Sequence, residues 1–146
     1  MKKLLLSTLL LSVLAIGNIA NAQGKIAVVD VSAVVAKSAQ VKALKNEQQA
    51  KLKDLEKWLK TAQADVEKQK TDAGKEKLLK KYNADFEKKK TEIAQNYQTK
   101  LQEIDKSISA TIAAQAKMNG YDVVIAKGVI LYGGDDITEE IQKVVK

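Results

Sequence analysis

From Ser32 to Asn119 the chain contains no proline and one glycine, Gly74, close to the midpoint. Those two residues are the usual helix breakers. The stretch, about 88 residues long, therefore predicts a helix going out, a turn at Gly74, and a helix coming back. A hairpin roughly 60 Å long at ~1.5 Å per residue cannot wrap around a compact core. It projects.

The segments on either side are short, apolar and rich in Val and Ile. Lys25 to Val31 reads as a strand, and Ser32 is placed to cap the helix after it. Asn119-Gly120 is a helix stop. Tyr121 to Ala126 and Val129 to Tyr132, joined by Lys127-Gly128, read as a β-hairpin. Asp136-Ile137-Thr138-Glu139 has the form of a capping box for a last helix. The expected fold class is α+β, a long antiparallel coiled-coil hairpin on a small β body. The arm spans 32–119 with its tip near 72–75, and the body combines 23–31 with 120–146.

Two apolar seams support a single hairpin. On the outgoing helix they are Val41, Leu44, Leu52, Leu55, Leu59, Ala62 and Val66, with Gln48 in the gap. On the returning helix they are Leu79, Tyr82, Phe86, Ile93, Tyr97, Leu101, Ile104, Ile108 and Ile112, several of them eleven apart. Folding at Gly74 makes facing numbers add to about 148, which sets Val66 against Tyr82, Ala62 against Phe86, Leu55 against Ile93 and Leu44 against Ile104. Small faces large at Ala62 and Phe86. Leu59, beside Trp58, instead meets Lys89 or Lys90. Either the lysine stems lie over apolar surface with a cation–π contact to Trp58, or the arm is soft at this level.

Composition removes most chemistry. Beyond residue 22 there is no Cys, His, Pro or Arg. That excludes the usual nucleophile and zinc arrangements, and the carboxylates sit at helical spacing among lysines. We expect no enzyme, no metal and no cofactor. Residues 1–22 read as a secretory signal cleaved after Ala22, with Lys2 and Lys3 before the apolar run Leu4 to Ile16. The competing reading is an uncleaved anchor.

Charge is unevenly spread. From Lys57 to Lys90 there are 11 Lys and 6 acids, whereas 23–31 and 120–146 together hold 4 Lys and 6 acids. A basic arm attracts anionic surfaces in a salt-dependent way, and lysine gives point contacts without the arginine fork. Lys75, Lys77, Lys80, Lys81, Lys88, Lys89 and Lys90 form that diffuse patch. Nucleic acid would bind on charge alone, but export removes it as a partner and the arm lacks aromatics interleaved for stacking. In the body, strands apolar on both faces need cover that one short helix cannot supply. Ile26, Val28, Val29, Val31, Val123, Ile125, Val129 and Leu131 are therefore candidates for contact between copies of the chain.

The succession of Lys25 to Val31, Ala73-Gly74, Tyr121 to Ile125, Gly128 to Tyr132 and Asp136 to Ile141 resembles the Skp/OmpH family of periplasmic chaperones. The resemblance covers the chain from Lys25 onward. It implies a homotrimer joined through its β bodies, with three helical arms around a cavity. It further implies an ATP-independent holdase that keeps unfolded outer-membrane proteins soluble in the periplasm. Trp58, Leu78, Leu79, Tyr82 and Phe86 are the candidates for client contact, each with burial in the seam as the plainer reading. Some family members associate with lipopolysaccharide through basic residues that include arginine. This chain has none, so only a lysine patch for anionic lipid is expected. A structural spacer of the envelope is the alternative.

Overall fold

The computed structural model describes residues 24–146. The signal-peptide reading lies outside them. Strand β1 (Ile26–Val29) leads into helix α1 (Val31–Lys37), which is followed by α2 (Ala39–Glu67) and α3 (Asp72–Met118). Strand β2 (Val123–Ala126), a 3-10 turn (Lys127–Val129), strand β3 (Asp135–Asp136) and helix α4 (Thr138–Val144) complete the chain. The molecule is mostly helical, with a small parallel sheet.

The outgoing helix is capped two residues earlier than expected and has a break. Asp30, not Ser32, is the cap: its carboxylate accepts from the Ala33 amide at 2.9 Å. Ser38 interrupts the helix with φ −58° and ψ 126° and is fully buried. Its hydroxyl accepts from the Val41 amide at 3.3 Å and donates to the Lys146 carbonyl at 2.5 Å. Neither glycine nor proline is needed, because one buried hydroxyl satisfies the backbone at the break.

Gly74 is not the break either. The non-helical link is 68–71, and Thr71 caps α3 by accepting from the Gly74 amide at 3.1 Å. Gly74 thus lies in the first turn of α3, outside the positive-φ region.

The hairpin register is nonetheless close to the expected one. Glu47 meets Lys100, Lys51 meets Asn96, Asp65 meets Tyr82 and Trp58 meets Lys89, every pair adding to 147. Glu67 is then level with Lys80. The turns of α3 before Lys80 run about 12 Å past the end of α2, while the link climbs beside them. The seam of α2 is shifted by one residue at two levels. Lys51 and Trp58 are half-buried, and Leu52 and Leu59 are exposed. Near the start of α3 Leu78 is half-buried and Leu79 exposed, the reverse of the expected assignment.

In the body, β1 is the central strand of the order β2-β1-β3, and both pairings are parallel. The expected β-hairpin is absent. Lys127-Gly128 enters a 3-10 turn instead of a two-residue reversal, and Val129 to Tyr132 pairs with no described strand. The chain returns on the far side of β1, with Val28 opposite Asp136. Parallel pairing follows from the connections: the whole arm is the crossover between β1 and β2. Ala27, Val29, Val34, Ile108, Ile137 and Ile141 form the core, where α4 packs beside α1 and the end of α3. At the start of α4 the N-cap is Ile137, one position later than the box pattern implies, and Asp136 acts from the residue before it. The Asp136 carboxylate accepts from both the amide and the hydroxyl of Thr138, at 3.0 and 2.6 Å.

Candidate functional site

Three levels of the arm are built differently. Nearest the body, Leu44 and Ile104 pack beneath a polar clasp. The Glu47 carboxylate takes Lys51 at 2.9 Å and Lys100 at 2.5 Å, and Lys51 also donates to Asn96 at 2.6 Å. Two ammonium groups on one carboxylate hold its pKa down to about 2, with the Lys100 hydrogen bond the larger cause. The two lysines occupy positions where a coiled coil takes apolar residues, so the clasp fixes which residues can face each other.

Farther out, Leu55, Trp58 and Ile93 line an open groove of about 370 Å³ rimmed by Lys51, Asp54, Lys89, Glu92 and Asn96. The Lys89 ammonium stands 5.4 Å from the centre of the Trp58 ring, and Lys90 stands 5.7 Å from that of Phe86. The cation–π contact expected at this level is present.

Toward the end, Tyr82 meets Trp58 edge-on at 5.6 Å and donates its hydroxyl to Asp65 at 3.0 Å. That acceptor raises the Tyr82 pKa. Of the five candidate client residues, Trp58, Leu78, Tyr82 and Phe86 are half-buried, and Leu79 is exposed. The structure brings Trp58 and Tyr82 together as part of the hairpin's own seam.

The candidate lysines fall into two groups. Lys80 is paired with Glu76 at 2.8 Å, Lys90 with Glu87 at 2.8 Å and Lys88 with Glu92 at 4.0 Å, all within one helix. Lys75, Lys77, Lys81 and Lys89 have no ion-pair partner among the described residues. Lys75 and Lys77 ride on the turns of α3 that outreach α2. Among the described residues no three potential metal ligands cluster, and no helix is long and apolar enough to cross a membrane.

With this arrangement established, a family model described as Outer membrane protein (OmpH-like) matches residues 25–145. The chain belongs to the OmpH-like family. No individual curated protein matches it. The match takes in both strands flanking the arm as well as the arm, so the OmpH-like unit is the whole described chain rather than its coiled coil alone.

The body of this OmpH-like chain leaves apolar surface open. Val129, Leu131 and Tyr132 are almost wholly exposed, and Ile26, Val31 and Val123 are each partly so. Beside the sheet a trough of about 530 Å³ is lined by Val29, Val31, Ile112, Ala116, Tyr121 and Val124, among others. Val28 and Val29, expected at the contact between copies, are instead buried within one protomer. Val29 joins the core, and Val28 lies under Gly134, where an added Cβ would come within 2.6 Å of it. Ile125 is half-buried. Sequence reasoning missed the Glu47 clasp. Its signal was available, because Glu47 and Lys51 have i,i+4 spacing and Lys100 faces Glu47 in the register.

Proposed function

We propose that this protein is an ATP-independent holdase of the periplasm, binding unfolded outer-membrane β-barrel proteins between the arms of a homotrimer. Membership of the OmpH-like family carries the reading. The fold supports it physically. A projecting hairpin with no compact core of its own offers a long surface and little else. Unfolded barrel chains carry alternating apolar residues and aggregate unless confined. Several basic arms hold such a chain by many weak contacts, so it leaves without nucleotide hydrolysis. The diffuse lysine patch from Lys75 to Lys90 adds attraction for acidic clients and for anionic lipid, including lipopolysaccharide.

What supports self-association is the uncovered body. The outer edge of β2, unpaired among the described residues, the exposed Val129 to Tyr132 segment and the trough beside the sheet are self-complementary in chemistry, apolar on apolar. The deciding experiment dilutes a urea-denatured outer-membrane β-barrel protein into buffer with near-stoichiometric oligomer and follows light scattering. A holdase keeps scattering low. A spacer of the envelope, the competing reading, leaves it as high as buffer alone.

A further inference from the structure

The two flanks of the arm differ in chemistry, and the difference assigns one of them a role. At 100° per residue, Leu52 and Leu59 share one flank of α2, while Glu47 and Asp54 lie on the other. On α3, Leu79 and Leu101 are two eleven-residue repeats apart and share a flank, with Lys89, Glu92 and Asn96 opposite. The groove between the helices is lined by Asp54 of α2 together with Lys89, Glu92 and Asn96 of α3, so those two flanks adjoin. The remaining flanks therefore adjoin on the other side, and every one of the four leucines is exposed there.

Leu101, Leu52, Leu59 and Leu79 retain 36, 51, 42 and 47% of their surface. In the observed register they follow one another in that order along the arm, in steps of roughly 10 Å over about 33 Å. The charges beside them are balanced, since Lys90 is paired with Glu87, and Lys60 with Glu56. Lys45 and Asp105 also border this flank. It is the apolar side of a basic arm.

We propose that this leucine flank is the surface on which an unfolded polypeptide client is held, with its apolar side chains docking at the four separated steps. The inference rests on the holdase reading and specifies where on the arm it operates. Area decides between occupants. The four leucines expose on the order of 300 Å², against the roughly 800 Å² that each partner of a stable folded interface contributes. The steps also divide between two helices, with Leu52 and Leu59 on α2 between Leu101 and Leu79 of α3, so no heptad seam longer than one repeat is offered to a second coiled-coil arm. A ladder this sparse suits a flexible chain that makes and breaks contacts one at a time. The aromatic residues Trp58 and Tyr82 then act inside the hairpin, positioning the leucine flank without touching the client.

A photo-crosslinking side chain is placed singly at Leu52, Leu59 or Leu101, and on the opposite flank at Asp54, Glu92 or Asn96, in the full chain. The probe is a urea-denatured outer-membrane β-barrel protein diluted into the oligomer. We expect several-fold more client adduct from the leucine flank. Equal labelling of both flanks, stronger labelling from the groove side, or chain-to-chain adducts that client does not displace would each overturn the proposal. A second measurement combines Leu52→Gln, Leu59→Gln, Leu79→Gln and Leu101→Gln. With helix content and oligomer mass retained, the variant should capture client about tenfold more weakly, since only part of the transfer energy of each leucine is lost. Capture equal to the unmutated protein sinks the leucine flank alone. If the unmutated protein itself fails to capture client, the holdase reading falls and the flank assignment falls with it.

Discussion

At Glu47 two ammonium groups converge on one carboxylate inside an apolar seam, and the consequence is directional in pH. The folded carboxyl titrates near 2, below its ordinary 4.5. As pH falls, the unfolded chain takes up the proton first. The stabilisation is therefore complete above about 4.5 and is lost as pH drops toward 2. Glu47→Gln should lower the thermal midpoint by about 2–5 °C near neutral pH, because it leaves Lys51 and Lys100 adjacent and unpaired. The gap between variant and unmutated protein should close across that acid window and narrow in high salt, since all three groups are solvent-accessible. Circular-dichroism melts from pH 7 to pH 2 check this. A gap that is constant with pH would mean the clasp contributes only packing.

At the scale of the elements, two glycines separate what looks alike in a sequence. Gly74 lies in the first turn of α3 with ordinary backbone angles, and an added Cβ would approach the Thr71 hydroxyl at 2.9 Å. Gly74→Ala gains helix propensity and disturbs the cap, so urea unfolding should show a net change within about 1 kcal/mol. Gly134 has φ +87° and sits 2.6 Å, at the position of a Cβ, from Val28 of the central strand. Gly134→Ala should cost more than about 2 kcal/mol at the same protein concentration. A second prediction concerns the arm. Amides near Leu59 and Lys89, where a lysine rather than an apolar residue lies over Trp58, should exchange faster than those near Leu52 and Tyr97. Uniform protection along the arm would argue against a soft level.

These elements also show what a sequence carries. The hairpin and its register were legible because length without breakers and two complementary seams are properties of the chain itself. The one-residue shift at Lys51 and Trp58 was not. A heptad leaves neighbouring positions nearly equivalent, and hydrophobicity favours Leu52 and Leu59 over a lysine whose partners Glu47 and Asn96 come from a different turn and a different helix. Val129 to Tyr132 was read as a strand on composition, yet a strand needs a partner, and none of the described strands supplies one. Of the candidate client residues only Leu79 is among the exposed leucines, for a related reason: aromatic side chains stand out in a sequence whether they face the seam or the solvent.

For the whole molecule, the exposed apolar segment of the body is the test of assembly. If Val129 to Tyr132 is covered by another copy of the chain, Leu131→Asp should reduce the mass by sedimentation to that of a single chain at micromolar concentration. Helix content should be retained, because Leu131 makes no contribution to the protomer core. An unchanged mass would place the interface elsewhere.

The parallel pairing of β1 with β2 has a consequence for how the molecule comes into being. The Lys25 amide group, the first to reach across, finds its acceptor in Asp122, 97 residues later in the chain. Closing so long a loop from a disordered chain is slow. The arm removes most of that distance, because a hairpin formed from local turns brings its two ends side by side before any strand has paired. The element that projects farthest from the body is thus also the one that assembles it. A body that closes last leaves its strands unpaired until the arm is complete, so whatever delays the arm delays the sheet as well.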